Sequence, residues 1–168
     1  ILGTAMKRFS PLPCICLLLT ALVAGCGREE SQATRAGDSA LSRGKLTEAE
    51  QLFRQPAADG EPGALKGMIE ISLRRGDTAK TLSLLGRLPE EDPLYQGRVL
   101  ERAGRPEEAA AAYRSVLAID PRNGEALYGV ARYRIVKGDR KQARVLLERI
   151  PHESPFHARA ARLLRGLQ

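Results

Sequence analysis

The sequence contains no tryptophan, few aromatic residues and only two histidines. Aromatic residues make up 4% of its 168 positions, and the common residues are the helix formers Ala, Leu, Arg and Glu. Strands favour β-branched and aromatic residues, so this composition argues against a sheet-based core. It also provides no aromatic platform on which nucleic-acid bases could stack. We therefore expect an all-α fold and no nucleic-acid partner.

Motifs of enzymes and metalloproteins are missing as well. The sequence has no G-x-S-x-G element, no Gly-rich phosphate-binding loop and no H-E-x-x-H motif. Its two histidines, His152 and His157, are separated by a proline boundary, and this spacing predicts independent surface residues rather than metal ligands. We therefore predict no catalytic residue, no metal site, no bound cofactor and no enzyme activity.

The first 25 residues have the pattern of an export signal. Lys7 and Arg8 follow Met6, and an apolar stretch leads from Pro11 to Val23. A charged start followed by a short apolar segment is typical of a secretory signal peptide. A transmembrane helix needs about 20 apolar residues, which is longer than this run. We predict that residues 1–25 are removed and that Met6 is the true start.

The end of this segment indicates lipid modification. A run of aliphatic and small residues precedes Cys26, namely Leu22, Val23, Ala24 and Gly25. The run resembles the lipobox of bacterial lipoproteins, which implies a lipid-bearing Cys26 and a location in the bacterial cell envelope. On the same resemblance, Gly27 in place of Asp implies the outer membrane of a Gram-negative host, with the protein facing the periplasm. Cys14 and Cys16 would leave with the signal, so the mature chain would have no free thiol or disulfide.

After a polar linker predicted over residues 26–34, the chain repeats one short phrase four times. The four phrases begin at Gly44, Gly76, Gly104 and Gly138. In each phrase the glycine can end one helix, and the charged residues after it can begin the next. The repeated unit is therefore a helical hairpin, and we predict a repeat domain over residues 35–168.

The third and fourth phrases show which kind of hairpin this is. Ala109, Tyr113 and Pro121 follow Gly104 at the offsets of the tetratricopeptide repeat (TPR). In the fourth copy, Ala143 and Leu147 occupy the positions that correspond to Ala109 and Tyr113. These copies resemble the TPR, whereas the first two copies are degenerate. The resemblance implies an α-solenoid that binds protein or peptide partners; the alternative is an unrelated helical bundle.

A longer duplication predicts how the chain ends. Residues 76–104 align without a gap on residues 138–166. In both copies a proline, Pro89 or Pro151, stops the second helix. A new helix can then begin at Asp92-Pro93 or at Ser154-Pro155. We expect a capping helix from Pro155 to Leu167, with its buried side formed by Ala158, Ala161, Leu163 and Leu164.

The TPR resemblance also implies a binding surface. Repeats of this kind bind partners on a concave face, which is formed by the first helix of each hairpin. On that basis the candidate residues are Leu94, Tyr95, Arg98, Tyr128, Arg132 and Ile135. The alternative for the two tyrosines is that they only pack between neighbouring helices.

Basic residues are concentrated in the last third of the chain. Residues 122–168 contain eleven Lys and Arg but four Asp and Glu. The resemblance to lipid-anchored TPR proteins implies a lipid-anchored scaffold with a protein partner in a pilus, secretion, outer-membrane or wall-synthesis machine. The alternative is a regulator or carrier that binds peptidoglycan or an anionic envelope polymer through the basic third.

Overall fold

The computed structural model describes residues 30–89 and 92–167. Within these ranges it contains helices and no strands: α1 Gln32–Ser42, α2 Leu46–Ala58, α3 Pro62–Arg74, α4 Thr78–Leu85, α5 Pro93–Arg102, α6 Pro106–Ile119, α7 Gly124–Val136, α8 Arg140–Glu148 and α9 His157–Arg165. None of these helices is long and apolar enough to span a bilayer. The predicted signal peptide, its cleavage motif at residues 22–25 and the lipidation site Cys26 lie outside the described residues.

Glycines end the first helix of each hairpin, as the sequence predicts. Gly44, Gly76, Gly104 and Gly138 all have a positive φ, between 72° and 82°, which a side chain would disfavour. At Gly104 the amide N–H donates to the Glu101 carbonyl, and the next N–H donates to the Leu100 carbonyl. These two bonds form a Schellman motif, which satisfies carbonyl groups at the end of the helix.

Polar caps fix where several helices begin. Side-chain oxygens accept hydrogen bonds from first-turn N–H groups at five residues: Ser31, Asp77, Asp92, Asn123 and Asp139. Asp92 caps two N–H groups at 3.0 Å and is followed by Pro93 at the first helical position. The predicted Asp92-Pro93 helix start is therefore confirmed.

Successive helices pair into four antiparallel hairpins: α1 with α2, α3 with α4, α5 with α6, and α7 with α8. The sequence predicts close helix packing at Ala109 and Ala143, with larger side chains one turn later. Both alanines are buried, and so are Tyr113 and Leu147. The TPR-like packing predicted for the third and fourth hairpins is thus confirmed, and the described body is an all-α stack of helical hairpins.

Tyr113 and its counterpart in the first hairpin occupy the same kind of slot. The Tyr113 ring lies between Gly97 of α5 and Gly129 of α7, where added Cβ atoms would collide with it. Phe53 lies in the same way between glycines of α1 and α3. The first copy, which is degenerate in sequence, therefore keeps the central packing of the third.

Two predicted boundaries need correction. The first helix begins at Gln32, and Thr34 is fully buried, so the repeat body begins before residue 35. The last helix begins at His157, because residues 155 and 156 form a turn that precedes it. Ala158 is exposed, and Ala160 is the buried alanine of α9. The predicted buried side of α9 is therefore wrong at Ala158, whereas Leu163 and Leu164 pack against the core of α7 and α8 as expected.

Candidate partner-binding surface

The first helices of the later hairpins, together with α9, form one surface, which we call the first-helix face. It carries Tyr95 and Arg98 from α5, Tyr128 and Arg132 from α7, and Arg159 from α9. Arg98, Arg132 and Arg159 are exposed, and both tyrosines are partly buried. This distribution leaves charged groups in solvent above a less polar floor.

Only some of the predicted binding residues come together. Tyr128 and Arg132 line the same two pockets. Leu94 is partly buried against the core around Leu100 and Tyr113, and Ile135 packs against the core of α7 and α8. The structure thus brings Tyr128 and Arg132 into one surface, while Leu94 and Ile135 contribute to packing.

Ion pairs connect successive first helices across this face. Arg102 of α5 contacts Glu70 of α3 at 2.6 Å, and Arg132 of α7 pairs with Glu101 of α5. Glu70 also pairs with Arg74, and the two arginines, Arg102 above all, lower the pKa of its carboxyl. These pairs therefore link one hairpin to the next on the solvent-accessible side of the stack.

Tyr113 forms the floor of the groove between α5 and α7. Its ring is buried, and its hydroxyl donates to Oε2 of Glu101 at 3.4 Å. Burial, and to a smaller extent the Glu101 carboxylate, raise the pKa of Tyr113 well above its ordinary value. The phenol therefore stays neutral, and the Glu101–Arg132 pair above it borders two pockets of about 280 Å³ and 140 Å³.

Tyr95 has a different environment from Tyr128. Lys66 of α3 lies over the Tyr95 ring, with its Nζ 5.2 Å from the ring centroid. Burial, and then the Glu70 carboxylate, raise the pKa of Tyr95 to about 12. Tyr95 therefore helps to join α3 to α5, as the packing alternative predicts, although part of its ring is still accessible.

A cationic pocket opens where α7 meets α9. It has a volume of about 280 Å³ and is lined by Tyr128, Arg132, Arg159, Arg162 and Leu163. The Tyr128 ring packs on Phe156, with centroids 5.5 Å apart, and the Arg159 guanidinium lies 5.3 Å from the Phe156 centroid. Among the residues that the structure describes, neither Arg159 nor Arg162 has a carboxylate partner. The pocket therefore combines apolar walls with two uncompensated positive charges.

Comparison with known protein families agrees with this architecture. The tetratricopeptide repeat family model matches residues 100–167. This chain is a TPR-like helical repeat protein. The matched segment runs from the end of α5 through α6, α7 and α8 to α9. It includes most of the region whose sequence pattern resembles the TPR. No curated protein matches the chain.

The TPR-like assignment gives the function class of this surface, because TPR stacks are protein-interaction folds. The sequence pattern does not identify Arg159, Arg162 and Leu163 as surface candidates, because it predicts only a capping role for the last helix. The 62-residue offset, which aligns α9 with α5, was a signal that α9 continues the row of first helices.

The two histidines depart from the sequence prediction. We expected independent surface residues, but Nδ1 of His152 lies 3.1 Å from Nε2 of His157. The pair is formed because the turn after α8 folds back onto the first residue of α9. Within the described ranges, no group of three or more His, Cys, Asp and Glu side chains could hold a metal ion.

Proposed function

We propose that this protein is a lipid-anchored scaffold of the bacterial cell envelope, and that it binds a protein partner on its first-helix face. The observation that carries the proposal is the cationic pocket at the junction of α7 and α9. Its tyrosine and arginines are residue types that often anchor protein interfaces. The TPR-like fold supports the same class of function.

The pocket favours a partner segment that carries carboxylates next to an apolar side chain. Arg159 and Arg162 can each bind a carboxylate through two parallel hydrogen bonds. Tyr128 and Leu163 offer apolar area beside them. Arg132 is already paired with Glu101, so a ligand carboxylate would have to compete with Glu101 for it. Arg159 and Arg162 should therefore contribute more to affinity than Arg132.

Photo-crosslinking in cells tests whether this face binds a partner. A photoreactive phenylalanine analogue at position 128 keeps the aromatic ring in the pocket, and the same analogue at Val145 on α8 is the matched control, since Val145 is also solvent-accessible. We expect a specific adduct from position 128 that is absent from position 145. No adduct, or equal adducts from both positions, would contradict the proposal.

Charge reversal separates this proposal from the alternative, in which the basic third binds peptidoglycan or another anionic envelope polymer. Arg140 and Lys141 are exposed on the second helix α8, and among the described residues they have no carboxylate partner, which favours contact with an anionic polymer. We expect Arg159→Glu with Arg162→Glu to abolish the position-128 adduct, and Arg140→Glu with Lys141→Glu to leave it. Loss of peptidoglycan binding in the second variant alone would favour the polymer-binding alternative. Arg144 is not a suitable control, because its guanidinium donates to the Leu167 carbonyl.

The anchor is proposed from the sequence around Cys26. A leader of this kind delivers the chain to the envelope, and a lipid on Cys26 would tether the TPR-like body there through residues 27–31. Labelled fatty acid should be incorporated into the chain and lost in Cys26→Ser. Equal labelling of both forms would refute the anchor without affecting the partner-binding surface. The machine concerned, a pilus, secretion, outer-membrane or wall-synthesis complex, would be identified by the crosslinked partner.

A further inference from the structure

The only two histidines of the chain meet on its surface. His152 lies in the turn after α8, and His157 is the first residue of α9. Their facing ring nitrogens are 3.1 Å apart, and their ring centroids are 4.3 Å apart. Neither histidine is needed to fill the core, so packing alone does not explain why both stand at one place.

The turn between the two residues holds this arrangement. The Ser154 N–H donates to the Pro151 carbonyl, and the His157 N–H donates to the Ser154 carbonyl, both at 3.0 Å. The Phe156 N–H donates to the Ser154 hydroxyl at 3.2 Å. Prolines at 151 and 155 restrict the backbone further. The two rings are therefore brought together by an ordered turn, with little freedom left to lose when a ligand binds.

The separation of the nitrogens fits chelation of one ion. Zinc binds imidazole nitrogen at about 2.0–2.1 Å. An ion at that distance from Nδ1 of His152 and Nε2 of His157 would see them at an angle of about 98°, between a right angle and the tetrahedral angle. Imidazole is a suitable ligand for zinc, copper and nickel.

We propose that His152 and His157 form a binding site for a divalent transition-metal ion of the zinc class. Each ring would bind the ion as a neutral imidazole, with its proton on the nitrogen that faces away from the ion. In the present hydrogen bond one ring holds its proton on the facing nitrogen. When the ion binds, that nitrogen gives up its proton and the other nitrogen of the same ring takes one up from water, so two metal–nitrogen bonds replace the hydrogen bond and no net proton is released.

Two protein ligands leave the other coordination positions to water or to a donor from another molecule. The described chain offers no cluster of three ligating side chains, so this is an open site rather than a closed structural one. Phe156, a neighbour of the cationic pocket, directly precedes His157. The ion would thus link the turn to the start of α9, whether or not the partner-binding proposal is correct.

The test uses Zn²⁺ and the full chain, purified without a histidine tag and with every free cysteine that remains in it alkylated. Because no other histidine is present, background binding by imidazole is absent. We expect saturable uptake of one Zn²⁺ per chain, measured by calorimetry or by competition with a zinc-binding dye. His152→Asn and His157→Asn should each weaken it at least about tenfold, since even loss of an outer-shell partner costs that much. Glu153→Gln, in the same turn, is the matched control and should bind as the unchanged chain does.

A second set of measurements shows whether a loss of Zn²⁺ binding is caused by misfolding of a variant. Helical circular dichroism should be the same for all variants, and the imidazole NMR signals of both histidines should shift together as Zn²⁺ is added. Equal Zn²⁺ uptake by the unchanged chain and by the double variant His152→Asn/His157→Asn would overturn the proposal. So would an absence of saturable binding, which would leave only a hydrogen-bonded pair.

Discussion

The two halves of the described body, residues 31–89 and 92–167, share one packing device, an aromatic ring between two glycines. They differ in the residues around that ring. In the first half, the fully buried Phe53 lies between Gly37 and Gly67. In the second half, Tyr113 lies between two glycines in the same way. The glycines let neighbouring first helices approach an aromatic ring from both sides, so one skeleton supports both halves.

The surroundings of the two rings differ, as the residue twelve positions earlier in each half shows. Leu41, a core residue of the first half, stands twelve positions before Phe53. The residue twelve positions before Tyr113 is Glu101, which contacts the tyrosine hydroxyl and pairs with Arg132. In the first half α1 and α3 pack directly, whereas pockets lie between α5 and α7. The apolar pair thus lies where two first helices pack directly, and the polar pair lies beside an accessible groove.

Removing either ring should have the largest effect on stability. Phe53→Ala and Tyr113→Ala each leave a cavity between three helices, and we expect each to lower the free energy of unfolding by about 3–5 kcal/mol. Urea unfolding followed by circular dichroism measures the loss. The control Ile119→Ala, at a site 85% exposed, should change stability by less than about 0.5 kcal/mol. A small effect of Tyr113→Ala would mean that the two halves do not share this device.

Much of this architecture could be predicted from the sequence, because its determinants are local. Gly104 and Gly138 stop helices and Asp92 caps one, and these effects depend on a few neighbouring residues. The match between Phe53 and Tyr113 was missed because it depends on glycines from two other helices. For the same reason, the groove residues on α9 and the meeting of His152 with His157 became visible only once the chain was folded.

The close approach of the glycines can be tested in both halves with equal substitutions. In Gly37→Ala the new Cβ would lie 2.5 Å from Cε1 of Phe53, and in Gly97→Ala 2.5 Å from Cε1 of Tyr113. Alanine favours a helix by about 1 kcal/mol, but overpacking costs about 1–3 kcal/mol. We expect a net loss of up to about 2 kcal/mol in each case, measured by urea unfolding.

Gly86→Ala is the control for these substitutions. Gly86 is exposed, has an ordinary negative φ, and would place its Cβ 3.7 Å from the nearest atom. Its replacement should be neutral or slightly stabilising. If Gly97→Ala behaves like Gly86→Ala, the Tyr113 ring has room to move and the groove floor is not rigid.

Exchanging the two aromatic residues should have unequal effects. Phe53→Tyr adds a hydroxyl to a fully buried ring in the apolar core of the first half, at a cost of about 1–3 kcal/mol if it finds no partner. Tyr113→Phe removes a hydroxyl held only by the 3.4 Å contact with Glu101, so we expect a change of no more than about 1 kcal/mol. Thermal unfolding of both variants gives the comparison, and equal losses would show that Glu101 does not distinguish the halves.

The smallest expected effect concerns acid sensitivity in the first half. Lys80, and then Arg75, hydrogen-bond to Glu50 and lower the pKa of its carboxyl below the ordinary 4.5. A carboxylate with a lowered pKa stabilises the fold above pH 4.5, and the stabilisation is lost as pH falls through the folded-state pKa.

Glu50→Gln should therefore cost up to about 1 kcal/mol at pH 7, the size expected of a solvent-accessible ion pair. The difference from the unchanged chain should shrink as the pH falls below 4.5, because protonation removes the same charge in that chain. Urea unfolding across this range measures it, with Glu148→Gln, an exposed site on α8 outside these pairs, as the control. A constant difference between the two chains at every pH would show that Glu50 acts through packing rather than charge.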